Sequence, residues 1–275
     1  MKTIDKGQGS PALFFVHGFL CASDDWTHQF SHFQQRHRVV APTFWGHGGT
    51  DRCPESLSVS LFARDCIKLL EEKEINDVVL IGHSMGTRVL FAISQEIPEK
   101  VRGMVLLDGS RISGSGGRDR CILEFRAEVK NIGYENFITR TFSAMVSNPK
   151  FVEFRNRLVR RALDVPEDWA MELRCSTIEF DSDAVETAVQ NARMPLLVIQ
   201  STDKIDNQIY TPLKPGDSAA YAAFIKANAP HADLSYLSDV GHFAAWEVPE
   251  LVNSQIEDWM DKKNIRSEFP EIESE

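Results

Sequence analysis

The sequence predicts a doubly wound α/β domain on a mostly parallel sheet, interrupted late in the chain by an all-helical stretch. Short apolar runs recur at Leu13–Val16, Val39–Ala41, Val78–Ile81, Met104–Leu107, Leu196–Ile199 and Leu234–Leu237, each ending near Gly, Pro, Ser or Asp. Nearly continuous apolar character of this length marks strands covered on both faces, as in a parallel sheet. Between the runs the period changes to that of a helix. Leu57, Leu61, Phe62, Ile67 and Leu70 fall on one face, Val89, Leu90 and Ile93 follow Ser84, and Leu251, Val252, Ile256 and Trp259 follow Pro249. Strands alternating with helices mean covering layers on both sides of a sheet.

The alternation stops between Ile112 and Asn191. This stretch opens on the flexible Ser113–Gly117 and then carries helical stripes only, among them Phe151, Phe154, Leu158 and Ala162, and Trp169, Leu173 and Ile178. An insertion of that kind reads as a lid over the carboxyl ends of the strands, where ligands bind in open α/β sheets. The expected layout is a core from residues 1–111 and 192–266, a helical cap from 112–191, and a frayed acidic tail from 267–275.

Composition bounds the function. With 30 Lys and Arg against 40 Asp and Glu, the formal charge of −10 argues against a nucleic-acid partner, which needs clustered cations. The 5 cysteines are odd in number and scattered, with no CxxC spacing, so free thiols in a reducing compartment are expected rather than disulfides or a zinc site. The polar start MKTIDKGQGS lacks the apolar core of a signal peptide, and the Pro11–Val16 run is too short to span a bilayer. A cytoplasmic protein without a membrane span is the expectation.

The strongest chemical signal is Val78-Val-Leu-Ile-Gly-His-Ser-Met-Gly86, leading straight into a helical segment. Gly82-x-Ser84-x-Gly86 between a buried strand and a helix fits a nucleophile elbow, a turn so sharp that side chains at the glycines would collide. Such a turn thrusts the serine hydroxyl out of the sheet edge. A hydroxyl is a poor nucleophile until a base takes its proton. His242, in Asp239-Val-Gly-His-Phe243 after the last expected strand, stands where that base belongs. The acid that orients it should follow the penultimate strand, in Ser201-Thr-Asp-Lys-Ile-Asp206. Asp203, closest to the strand end, is preferred, with Asp206 the near alternative and Asp108, directly after Leu107, the distant one. Two backbone donors are needed for a developing oxyanion. Met85 N–H follows the nucleophile, and Phe19 N–H lies in His17-Gly-Phe-Leu20 after the first buried strand.

These pieces resemble the α/β-hydrolase superfamily: His17-Gly18-Phe19, Trp45-Gly-His-Gly48, Gly82-His-Ser-Met-Gly86, Asp203 and Gly241-His242-Phe243 stand in that family's order, over nearly the whole chain. The resemblance is to small capped esterases, lactonases and carbon–carbon bond hydrolases. It implies an α/β-hydrolase fold and hydrolysis through an acyl-enzyme, with no cofactor and no metal. Serine at position 84 separates the chain from epoxide hydrolases and haloalkane dehalogenases of this fold, which place Asp there. Two departures stand out. Leu13 already opens the first buried strand, so the family's antiparallel opening strands are expected to be partly missing, and Thr43 occupies a position where relatives carry Asp.

His83, Phe142, Trp169 and Phe243 are the candidates for touching a substrate, expected to be a small or medium, largely apolar ester or lactone. Arg155, Arg157, Arg160 and Arg161 could recognise a carboxylate, but the preferred reading is the exposed side of a helix whose other side is Phe151, Phe154 and Leu158. His28 and His32 have metal-ligand spacing but no acidic third ligand, so a solvated helix face is expected. Carbon–carbon bond hydrolysis, ligand sensing without turnover, and cofactor-free oxygen chemistry are the alternative activities on the same scaffold.

Overall fold

A computed structural model describes residues 1–53, 55–112, 117–205 and 209–266 of the chain; most of the expected flexible segment 113–117, Asp206, and the tail from 267 lie outside the described residues. The strands are β1 (Lys2–Lys6), β2 (Ala12–Val16), β3 (Val39–Thr43), β4 (Val78–His83), β5 (Val101–Leu107), β6 (Leu196–Gln200), the hairpin β7 (Thr202–Ile205) and β8 (Ile209–Pro212), and β9 (Asp233–Tyr236). A 7-stranded sheet has the order β1-β3-β2-β4-β5-β6-β9, parallel throughout except for β1, which runs antiparallel to β3. An opening strand is therefore present at the edge. Its burial pattern is mostly exposed and half-buried, so it carries no apolar run to announce it.

The strands interleave two cores with the period of 2 that a pleated strand imposes. Phe14, Val16, Leu80, Met104, Leu106, Leu196 and Val198 face one side. Leu13, Phe15, Val79, Ile81, Val105, Leu107, Leu197 and Ile199 face the other. The second face is covered by Phe30 and Phe33 of α1 (Thr27–Phe33) and by Val252, Ile256, Trp259 and Met260 of α11 (Pro249–Lys262). The first is covered by α2 (Val59–Glu72), whose Ser58 cap accepts Leu61 N–H at 3.0 Å, and by α3 (Gly86–Glu96). Burying each large aliphatic or aromatic side chain is worth about 1.5–3 kcal/mol, so the alternating strands supply the main driving force.

Between β5 and β6 the chain is helical: α4 (Gly117–Ile132), α5 (Tyr134–Met145), α6 (Val152–Leu163), α7 (Glu167–Asp183) and α8 (Val185–Asn191). The remaining helices are α9 (Ala220–Asn228) and α10 (Ala244–Glu247). No helix among the described residues is long and apolar enough to cross a membrane. The chain runs β2 to β3 in one direction and then places β4 on the other side of β2, so the sheet's topological switch point lies between β2 and β4. Crevices form at the carboxyl ends of strands at such a point.

A buried ion pair fastens α7 to α3. Arg88 donates from Nε to Asp181 Oδ1 at 2.8 Å and from a terminal nitrogen to Oδ2 at 2.6 Å, and also reaches Ser110 O at 2.7 Å. Asp181 accepts Ile112 N–H at 2.7 Å as well, and both side chains are almost wholly shielded from solvent. Removing one partner of such a pair leaves a buried, uncompensated charge. Asp181→Asn should lower the unfolding free energy by about 3–5 kcal/mol in urea titrations, whereas the volume-matched apolar replacement of both partners should cost much less.

Candidate active site

Ser84 follows β4 directly, at the switch point, with φ of +54°, in the left-handed region that costs a non-glycine residue about 1–3 kcal/mol. Its N–H donates to Leu107 O at 3.0 Å, which pins the turn to the neighbouring strand β5. The flanking glycines are required by contact. A Cβ on Gly82 would lie 2.8 Å from Leu90 Cγ and one on Gly86 would lie 2.5 Å from Val16 O, well inside van der Waals range. The turn therefore packs α3 hard against β2 and β4 and presents the serine hydroxyl to a cavity.

The loop after β9 brings in His242, whose ring is fully buried. Its Nδ1–H donates to Asp108 Oδ2 at 2.6 Å. Asp108, at the end of β5, also accepts Ser201 N–H at 2.8 Å and Thr202 N–H at 2.9 Å on Oδ1, and the Thr202 hydroxyl at 2.7 Å on Oδ2. A carboxylate with these donors is acceptor-only, so the neutral imidazole carries its proton on Nδ1 and leaves a lone pair on Nε2. That Nε2 is buried and has no hydrogen-bond partner among the described residues. Two further bonds hold the loop: Ser201 Oγ to Gly241 O at 2.8 Å and His242 N–H to Met145 O at 2.9 Å.

The carboxylate on the imidazole is therefore Asp108, and the expectation of Asp203 is corrected. After β6 the chain does not form an open loop but enters β7, paired antiparallel with β8. In that hairpin Asp203 turns to the backbone, accepting Lys204 N–H at 2.8 Å and Ala220 N–H at 3.1 Å, where it caps the start of α9. Ser201 and Thr202, immediately before it, are the residues that face His242 and Asp108.

The two proposed backbone donors flank Ser84. Met85 N–H stands at the start of α3, and no hydrogen bond within the described residues uses it or Phe19 N–H. His17 sets the second amide. Its Nδ1–H donates to Gly18 O at 2.8 Å while Nε2 accepts Phe44 N–H at 3.2 Å. Because the peptide is planar and trans, fixing Gly18 O turns Phe19 N–H the opposite way. Burial pushes the nearby histidines toward the neutral form: His17 falls well below its usual value, His47 drops to about 4, and His83, also facing His242, to about 3.

Ser84, Phe19 and Met85 open on a cavity holding about 1060 Å³ of empty space, open solvent at its mouth included. The pocket candidates from sequence do not line it. His83 turns its Nε2 to His242 O at 2.8 Å, Phe243 packs on His83 with ring centroids 4.8 Å apart, Phe142 is wholly buried, and Trp169 stacks under Arg52 at 4.9 Å beside Gly46. The arginines of α6 are absent too: Arg161 pairs with Asp24 and Asp25, and Arg157 covers Trp246 at 4.5 Å. The walls instead come from α4, α5, α7 and β7–β8, with Phe125, Phe137 and Met145 beside the charged Arg140, Arg174 and Lys204 and the phenol of Tyr210. The wall is more polar than the apolar pocket expected. Tyr210 lies on the His242 ring with centroids 3.8 Å apart. The β-favouring Ile209, Tyr210 and Thr211, close after Thr202–Ile205, are the sequence signal that a second strand follows β7.

Among the described residues no group of three or more His, Cys, Asp or Glu could hold a metal ion. His32 meets Glu257 at 3.0 Å and His28 packs on Trp246, so the pair at that spacing is divided between different neighbours.

The model of the alpha/beta hydrolase family matches residues 13–255. The first curated relatives, proteins of Mycobacterium bovis and Mycobacterium tuberculosis, are 29% identical over 103 residues, and the chain spans 30% of their length. The (E)-2-((N-methylformamido)methylene)succinate hydrolase of Acinetobacter baylyi is similar end to end, at 22% identity over 94% of this chain and 92% of that one. Among solved structures, a hydrolase from Oleispira antarctica superposes with a TM-score of 0.77 at 16% identity, covering 94% of each chain. A thermophilic esterase from Thermogutta terrifontis does so with 0.76 at 20%, covering 95% of this chain and 93% of that one. Sheet order, the turn at Ser84 and the family model agree: the chain belongs to the alpha/beta hydrolase family.

Proposed function

We propose that the chain is a serine hydrolase cleaving a carboxylic ester or lactone through an acyl-enzyme, with Ser84 as nucleophile, His242 as general base and Asp108 as the acid that orients it. The observation that carries this reading is the 2.6 Å bond between Asp108 and His242 Nδ1, which leaves Nε2 without a partner among the described residues, while Ser84 and Tyr210, the ring that lies on His242, both line the cavity. In the first step Ser84 Oγ attacks the carbonyl carbon as Nε2 takes its proton. The buried Asp108 carboxylate stabilises the imidazolium without being protonated itself. The Phe19 and Met85 amides hold the oxyanion, a contribution worth about 2.7–4 kcal/mol per donor. Imidazolium then protonates the departing alkoxide, and water activated by the same nitrogen releases the acid. The helices between β5 and β6 act as the cap that excludes bulk water. Relatives named as an esterase and as a succinate-derivative hydrolase support hydrolytic chemistry.

A p-nitrophenyl ester assay with single variants tests the assignment. Ser84→Ala should lose at least about 10³-fold in kcat and all labelling by a fluorophosphonate probe. Asp108→Asn should lose about 10⁴-fold, because the imidazole would adopt the other tautomer. Asp203→Asn should retain activity within a few-fold; the reverse ranking of the two aspartate variants would remove Asp108 from the mechanism.

Tyr210 gives the site a titration of its own. Burial alone would raise this phenol, but the Lys204 cation, the neighbouring His242, the Arg174 cation and a hydrogen bond with Ser110 outweigh it and bring it down from 10.0 to about 7. Tyr221 is raised to about 12 and Tyr134 above the usual range, both chiefly by burial. Near-ultraviolet phenolate absorbance should therefore show one tyrosine ionising near pH 7, absent in Tyr210→Phe. Since the folded value lies below the unfolded one, this ionisation stabilises the fold fully above pH 10, and the contribution disappears as pH falls through about 7.

A further inference from the structure

Four side chains of the cavity wall, Arg88, Arg140, Arg174 and Lys204, carry positive charge, and among the described residues the first two are paired with carboxylates while Lys204 stands against the Tyr210 phenol. Arg88 is held bidentate by Asp181, and Arg140 is paired with Glu128. Glu124, another wall residue, is committed to Arg120 at 2.7 Å. Arg174, from α7, has no carboxylate partner among the described residues. Its guanidinium carbon lies 6.0 Å from the Phe19 ring and 5.8 Å from the Phe125 ring, and its Nε is shielded from solvent with no hydrogen-bond partner among the described residues. Lys204 Nζ stands 4.7 Å over the Tyr210 ring, the same ring that lies on His242. Both cations thus touch residues that themselves flank Ser84 and His242. Elsewhere the fold treats a similarly shielded guanidinium differently: Arg161 is clamped by Asp24 and Asp25.

A guanidinium whose Nε is shielded from water without an acceptor is costly unless an anion completes it. Its planar fork matches a carboxylate in two parallel hydrogen bonds. We infer that Arg174, with Lys204 beside it, forms an anion subsite, and that the substrate is an ester or lactone bearing a free carboxylate away from the bond that is cleaved. This substrate class rests on the reading of Ser84 as nucleophile. Burial chiefly lowers the Arg174 pKa, helped by the neighbouring Arg88 and opposed by Tyr210, Asp181 and Glu128, so a carboxylate bound at the guanidinium would relieve the burial penalty.

Two measurements on the full chain separate the subsite from the chemistry. In the first, monomethyl adipate and methyl hexanoate, similar in length and differing in the terminal carboxylate, are compared by product release. The wild type should favour the anionic ester in kcat/KM, and Arg174→Met should shrink the ratio about ten- to hundredfold. Arg174→Lys, which keeps the charge but loses the fork, should fall between. In the second, adipate itself is titrated calorimetrically. Saturable binding that weakens at least about tenfold in Arg174→Met, with an unchanged thermal midpoint, supports the subsite without any turnover. An ester ratio untouched by Arg174→Met, or adipate binding that is absent or indifferent to the variant, overturns the inference. Failure of every ester in the wild type counts instead against the Ser84 reading, and the adipate titration still decides the subsite.

Discussion

The Asp108 carboxylate gathers the ends of neighbouring strands into one cluster. It sits where β5 leaves the sheet, takes the first two amides after β6 and the Thr202 hydroxyl, and holds the imidazole that arrives after β9. Buried carboxylates are tolerated only when their lone pairs are filled, and here backbone and side-chain donors fill them together. The charge is thereby structural and chemical at once. Moving it would leave amides unpaired as well as the imidazole unoriented, which ties the shape of the loops to the orientation of His242.

The serine depends on a different constraint, close packing. α3 begins on Gly86, where a Cβ would collide with Val16 O, and a Cβ on Gly82 would collide with Leu90. There is no space for a relaxed connection between β4 and α3, so the chain reverses through a left-handed residue, and that residue is the serine. Strain of this sort persists where the surroundings over-determine it. The alternating faces of β2, β4 and β5, sealed by helices on both sides, provide that determination.

Much of the scaffold was legible in the sequence because burial on both faces writes itself as apolar runs. Strands β2 to β6 announce themselves in that way, the half-exposed β9 does so through the broken run Leu234–Leu237, and helical periodicity marks α2, α3 and α11 and the glycines the turn at Ser84. Edge strand β1, reading Lys-Thr-Ile-Asp-Lys, has solvent on one side and leaves no such trace. The choice among Asp108, Asp203 and Asp206 was not legible for a deeper reason. Asp108 follows β5 and Asp203 lies within β7, and which of the two meets the imidazole is decided by how β7 pairs with β8, a tertiary matter. The pocket was least legible of all. Aromatic residues such as Phe142 serve the core equally well, and Arg174 on α7 reads in sequence like any solvated helical cation until its neighbours are known.

The parts of this site rest on supports of unequal strength. Ser84 and Asp108 grow from β4 and β5, central strands with a neighbour on either side, whereas His242 follows β9, a short strand of half-exposed residues bonded only to β6 at the margin of the sheet. Marginal elements open more readily than central ones. Fraying at that margin would withdraw the imidazole while Ser84, Asp108 and most of the sheet stayed in place, so dispersal of this cluster and global melting of the fold are distinct events.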